Sequence, residues 1–129
     1  FFSVDLRHPD DAELWRMRGD LEAAAGEICG PLGLQAECKE IWHSPAVHYH
    51  EGCIAAVRRA AEDLGYPHRD IVSGAGHDAG YISRVAPVAM VFVPCADGIS
   101  HNEVESATAE DLAAGCNVLL RAMLEHAAG

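Results

Sequence analysis

Basic residues are scarce in this sequence. Nine Lys and Arg stand against 20 Asp and Glu among 129 residues, which gives a formal net charge of −11. A surface of this sign repels phosphate groups and anionic lipid headgroups, so nucleic acid and membranes are not expected as partners. No apolar run reaches the roughly 18 residues that a membrane-spanning helix needs, and no secretory signal pattern is visible.

Paired cysteine motifs are also missing. The five cysteines are an odd number, and no CxxC spacing occurs among them. Neither a disulfide framework nor a zinc knuckle is indicated, and the pattern favours buried thiols in a protein of the reducing cytoplasm. The chain begins Phe1-Phe2 in a strand-like pattern without an initiator Met, so we expect it to be a fragment.

Hydrophobic periodicity predicts an α/β fold. Strand patterns occur in residues 1–7, 34–42, 70–73 and 88–94. The first alternates polar with apolar residues and places Asp5 and Arg7 on the same face. The last, VAMVFVP, is apolar on both faces, which is typical of a central buried strand.

Three helices are predicted between these strands and after them. Apolar residues recur at helical spacing in residues 10–30, in residues 51–64 and from residue 108 onwards. Asp10 with Glu13 resembles a capping box. Gly65 fits a C-cap and Thr108 an N-cap. The residues expected to face inward are Ile54, Val57, Ala61 and Leu64 in the second helix and Leu112, Cys116, Leu119 and Met123 in the third.

The densest polar clusters flank the buried strand. Residues 73–79 (SGAGHDA) precede it, and residues 94–103 (PCADGISHNE) follow it. Glycine lets a backbone approach a ligand closely, and polar loops at strand ends are where open α/β sheets place their sites. From the residues alone, His77 and His101 fit either a shared ligand site or two ordinary hydrogen-bonded loop histidines.

The segments SGAGHDA and FVPCADGISHNEVE, with the opening VDLRHPDD, resemble the hydantoinase/carbamoylase branch of the M20 metallopeptidase-like amidohydrolases. That branch includes N-carbamoyl-L-amino acid hydrolases, β-ureidopropionase and allantoate amidohydrolase. The resemblance covers essentially the whole chain, although family members are several times longer. It implies that residues 1–44 are part of a lid and dimerisation domain, and residues 45–129 the C-terminal part of an α/β catalytic domain.

The resemblance also implies substrate-binding residues. Arg7, in the DLRHP segment, matches the lid arginine whose guanidinium grips the substrate carboxylate. His77, in GAGHDA, matches the histidine that contacts the substrate and stabilises the developing oxyanion, assisted by the backbone of Gly76.

A metal site is implied as well. His101, in the SHNE motif, matches a metal ligand, and Asn102 or Glu103 could orient its ring. The intact enzyme would hold two divalent ions per site, Zn, Mn, Co or Ni. A catalytic zinc needs about three protein ligands, yet the family's other ligands and its general-base glutamate find no match in this chain. We therefore expect the chain alone to be inactive and to bind metal weakly.

The implied function is hydrolysis of the C–N bond of an N-carbamoyl amino acid by a metal-dependent, cytoplasmic homodimer. Allantoate amidohydrolase is the alternative within the branch, and the two loop motifs fit an ordinary M20 peptidase or aminoacylase less well. An alternative from another class is a non-catalytic fragment that binds a small carboxylate or pairs through a strand edge.

A second histidine cluster has a simpler interpretation. His48 and His50 lie on one side of an extended segment with His43 nearby. They could form an adventitious metal clip, but we favour exposed loop histidines.

Overall fold

The computed structural model describes residues 1–127. Its α-helices are α1 (Asp11–Cys29), α2 (Glu51–Asp63), α3 (Asp78–Ile82) and α4 (Ala109–Ala127), with 3-10 turns at Gly30–Leu32 and Ala96–Gly98. The three long helices confirm the predicted helical segments, whereas α3 was not predicted. None of the helices within residues 1–127 combines the length and apolarity needed to cross a membrane.

The start of α1 follows from its capping residue. The Asp10 carboxylate accepts the backbone N–H of Ala12 at 2.8 Å, which satisfies a donor that has no partner within the helix. The second contact of the predicted capping box, from the Glu13 side chain to the N–H of Asp10, does not form. The N–H of Asp10 donates to Nδ1 of His8 at 3.0 Å, and Glu13 instead forms an ion pair with Arg16.

The other two predicted caps form. Gly65 follows α2 with a φ of 71°, a left-handed conformation that glycine adopts readily. Thr108 Oγ1 accepts the N–H of Asp111 at 3.1 Å and so caps the N-terminus of α4.

Helices α2 and α4 pack against each other through small side chains. The buried core of the described residues consists of Ala56, Ala60, Ala61, Val118 and Ala122, with Val57, Tyr66 and Val91 packed against it. The predicted inward face of α4 is wrong, because Leu112, Leu119 and Met123 are each about half exposed or more. Two helices can approach closely only where their side chains are small, so the contact formed through the alanine-rich faces instead.

The predicted strands are not present among residues 1–127. A strand is defined by hydrogen bonds to a neighbouring strand, and the four predicted segments find no such neighbour in the described part of the chain. Residues 88–94 nevertheless contact the residue before α2 and one face of α4. The N–H of His50 donates to the Val88 carbonyl at 3.1 Å, and Val93 lies against Gly115 of α4. The predicted α/β class is thus not confirmed by these residues alone.

The chain divides into two compact units. Within the described residues, one comprises residues 1–48 with 72–75, and the other residues 49–71 with 76–127. In the first, the segment after α1 folds back on the helix, where the Ala46 N–H donates to Asp11 Oδ1 at 3.0 Å. The second contains the α2–α4 pair, residues 76–79 and the loop that follows residues 88–94. The assignment of residues 1–44 and 45–129 to lid and catalytic domains stays a prediction.

Candidate functional site

Arg7 is held by two neighbours within the first unit. Its Nε and Nη2 donate to Asp5 Oδ2 at 3.0 and 2.5 Å, which confirms that the two side chains share a face. Its Nη1 donates to the Gly74 carbonyl at 2.6 Å. The structure therefore brings Arg7 to Gly74, both within the first unit.

The Arg7–Asp5 pair is solvent-exposed and charged. The side chains are 62% and 66% exposed. The hydrogen bonds that Arg7 donates to Asp5 lower the pKa of Asp5 and raise the pKa of Arg7. Both groups are therefore ionised at neutral pH, and more than half of each side chain is exposed to solvent.

His77 lies at the N-terminal boundary of α3 and is half-buried. Its ring contacts Phe92 edge to face, with the ring centroids 5.5 Å apart. The carbonyl of His77 accepts the N–H of Gly80 at 2.9 Å, which begins the short helix. A side-chain carbon placed on Gly76 would meet no atom within 4 Å, so the described residues leave space beside this backbone.

The loop that carries His101 has an unusual backbone. Asp97, Gly98 and His101 have φ values of 55°, 69° and 56°. Residues other than glycine seldom adopt a positive φ, and such strained residues cluster at ligand sites. The loop is closed at its base, where the Ala96 N–H donates to the Ser106 carbonyl at 2.8 Å. His101 itself is exposed.

Glu105 holds this loop together, and sequence reasoning missed it. Its Oε2 accepts the His101 N–H at 2.5 Å, and its Oε1 lies 3.8 Å from the Cys95 thiol. Desolvation raises the pKa of Cys95, and the Glu105 carboxylate adds to this rise. The sequence shows a carboxylate four residues after His101. The contacts of that carboxylate depend on the loop conformation, which the sequence does not show.

Two residues, Asn102 and Glu103, were predicted to orient the His101 ring. The amide oxygen of Asn102 accepts the Val104 N–H at 3.1 Å, so a local turn uses this oxygen. The orientation of the His101 ring by Glu103 stays a prediction.

The described residues do not form a metal centre by themselves. No group of three or more His, Cys, Asp or Glu within residues 1–127 could hold a metal ion. A catalytic zinc needs about three protein ligands, so the side chains present do not fit a metal without further ligands. His77 touches residues 88–94 through Phe92, and that segment leads into the His101 loop. Whether the two imidazoles face one cavity stays a prediction.

The chain is similar to members of a known family. The profile of Peptidase family M20/M25/M40 matches residues 10–125. Since this is most of the sequence, the chain belongs to that family.

Three relatives with similar sequences are amidohydrolases. The chain is 46% identical to the N-carbamoyl-L-amino-acid amidohydrolase of Rhizobium meliloti over 98% of its own length and 30% of that protein. It is 38% identical to the enzyme of the same name from Paenarthrobacter aurescens over 95% of its own length and 30% of that protein. It is 36% identical to the allantoate amidohydrolase of Bacillus subtilis (strain 168) over 92% of its own length and 29% of that protein.

A solved structure shows the same relationship. A hydantoinase/carbamoylase family amidase from Burkholderia multivorans matches 92% of this chain with a TM-score of 0.88 and 56% identity, and 29% of that amidase is covered. The resemblance to the hydantoinase/carbamoylase branch is thereby confirmed. The chain spans about 30% of the length of the curated relatives it matches.

Proposed function

We propose that the intact protein containing this chain hydrolyses N-carbamoyl amino acids. Water adds to the carbamoyl carbon, both C–N bonds of that carbon break, and one amino acid, one ammonia and one carbon dioxide are released. The observation that carries this proposal is the similarity to two N-carbamoyl-L-amino-acid amidohydrolases along nearly the full chain.

The exposure of Arg7 supports this substrate class, and the family resemblance gives roles to His77 and Gly76. Arg7 offers an exposed guanidinium beside Gly74, where it would bind the substrate carboxylate. His77 would donate a hydrogen bond to the oxyanion that forms when water adds to the carbamoyl carbon, and the backbone N–H of Gly76 would assist.

A metal requirement belongs to the same proposal. M20-family amidohydrolases generally depend on divalent metals. We propose two such ions, Zn, Mn, Co or Ni, with His101 as the ligand from this chain and the others from the rest of the intact enzyme. We also propose that the enzyme is a cytoplasmic homodimer and that residues 1–129 alone are inactive.

Allantoate hydrolysis is the second candidate. It is favoured by the 36% identity to the Bacillus subtilis allantoate amidohydrolase. Allantoate, like an N-carbamoyl amino acid, combines a ureido group with a carboxylate, so Arg7 and His77 would have the same roles.

The test is a substrate comparison with the intact protein. N-carbamoyl-L-amino acids, allantoate and N-acetyl amino acids are assayed separately for ammonia or amino acid release, with residues 1–129 alone as the control. We expect the highest kcat/KM for an N-carbamoyl-L-amino acid. A preference for allantoate selects the second candidate, and activity on N-acetyl amino acids alone contradicts both. Reading the coding region upstream of Phe1 shows whether it encodes the remaining metal ligands.

A further inference from the structure

The donors of the Arg7 guanidinium divide into two groups. An arginine side chain has five N–H bonds. Asp5 accepts two of them, from Nε and Nη2, and the Gly74 carbonyl accepts one from Nη1. Two N–H bonds therefore remain, one on each terminal nitrogen. A carboxylate needs two such parallel donors for a bidentate contact.

Asp5 occupies the side of the guanidinium rather than its end. An oxygen that accepts from both Nε and Nη2 lies along one edge of the planar group, so Asp5 does not cover the end formed by Nη1 and Nη2, and the Arg7 side chain is 62% exposed. A substrate carboxylate can then approach the end without displacing Asp5. The Gly74 carbonyl fixes the plane from a segment 67 residues away in the sequence.

We propose that Asp5 is a positioning residue for carboxylate recognition: together with the Gly74 carbonyl, it orients Arg7 so that two N–H donors face the substrate. This inference rests on the proposed function, because it takes Arg7 as the carboxylate-binding residue. Asp5 itself touches neither the substrate nor the reacting atoms. Orientation of a flexible arginine before binding removes part of the entropic cost of ordering it.

A binding measurement tests this without turnover. Calorimetry on the intact protein compares the product L-amino acid with its primary amide, which lacks the carboxylate. Asp5→Ala should weaken binding of the amino acid by about threefold to tenfold, as expected for one loosened charge-assisted contact, and leave the amide unaffected. Asp5→Asn should recover part of the loss, because its amide oxygen can still accept from Nε.

The chain offers a matched control. Asp70 also pairs with an arginine, Arg58, at 2.6 Å, and its side chain is 65% exposed, as Asp5 is 66% exposed. Asp70→Ala should not change binding of either ligand. In an Arg7→Ala background, Asp5→Ala should have no further effect, because Asp5 acts through Arg7.

Several outcomes would overturn the inference. Unchanged binding of the amino acid in Asp5→Ala would show that Arg7 needs no positioning, and tighter binding would show that Asp5 competes with the ligand. Equal losses for the amino acid and the amide would show a general structural effect. Ammonia release from N-carbamoyl substrates is assayed in parallel, so a protein that discriminates the carboxylate but releases no ammonia separates failure of the proposed function from failure of this inference.

Discussion

Glu105 accepts the backbone N–H of His101 through Oε2, and its second oxygen lies beside the Cys95 thiol at the other end of the same loop. One carboxylate thus bridges the residue that enters the loop and the residue proposed to bind metal. His101 has a φ of 56°, a conformation that needs support from its surroundings. The backbone of His101 is therefore held by a side chain outside the SHNE motif.

We expect Glu105→Ala to loosen this loop. Loss of the charged acceptor should raise hydrogen exchange of the His101 amide in the intact protein by about tenfold, equivalent to roughly 1.4 kcal/mol. Glu105→Gln keeps an acceptor oxygen and should show a smaller change. Glu110→Ala, in the first turn of α4, serves as the control, and equal exchange rates in all three variants would contradict the role of Glu105.

Gly115 should not tolerate a side chain. A Cβ on Gly115 would lie 2.5 Å from Cγ1 of Val93, so Gly115→Ala should lower the free energy of unfolding by about 1–3 kcal/mol despite the better helix propensity of alanine. Urea unfolding of the intact protein measures this. Gly19→Ala is the matched control, because a Cβ at that α1 position meets no atom within 4 Å. It should stabilise by up to about 1 kcal/mol.

A compensating change makes the Gly115 prediction more stringent. Val93→Ala removes the methyl group that the new Cβ would strike, so the double variant should be less destabilised than the sum of the single variants. Strict additivity would show that residues 88–94 do not lie against α4 in solution.

The ion pair between α2 and α4 should depend on pH. Hydrogen bonds from Arg59 lower the pKa of Glu125 from its ordinary value of 4.5. Because the folded-state pKa lies below the unfolded value, the stabilising contribution is present above about pH 4.5 and is lost as the pH falls through the folded pKa. Glu125→Gln should remove this part of the acid dependence of unfolding, and an unchanged pH profile would contradict it. The pair is exposed, so the effect should also shrink in high salt.

His77 should affect chemistry more than metal binding. If it donates to the oxyanion, His77→Ala in the intact enzyme should lower kcat by about 100-fold to 1,000-fold. Metal content, measured by elemental analysis, should stay at the level of the unmodified enzyme. The converse pattern, with metal lost and kcat per bound metal retained, would assign His77 to the metal site instead.

Local signals in the sequence were sufficient for the three long helices. Asp10 and Thr108 cap their helices through contacts within three residues, and Gly65 follows α2 with the left-handed backbone that its type suggests. Such features depend on neighbours in the sequence, so they can be predicted without knowledge of the fold.

Features that depend on distant neighbours could not be predicted in the same way. The buried face of α4 is set by α2, which selects Val118 and Ala122 over the larger Leu119 and Met123. The strand patterns require partner strands, and the described residues supply none. The contact between Arg7 and Gly74 joins segments 67 residues apart. The sequence placed Asp5 beside Arg7, whereas the contacts of Glu105 became apparent only from the structure.

Ammonia release from an N-carbamoyl-L-amino acid by the metal-loaded intact protein is the most direct test of the proposed enzyme. We expect turnover that is abolished when the protein carries His101→Ala, with the same variant binding less metal. Absence of turnover across N-carbamoyl-L-amino acids by a fully metal-loaded, folded protein would contradict the account.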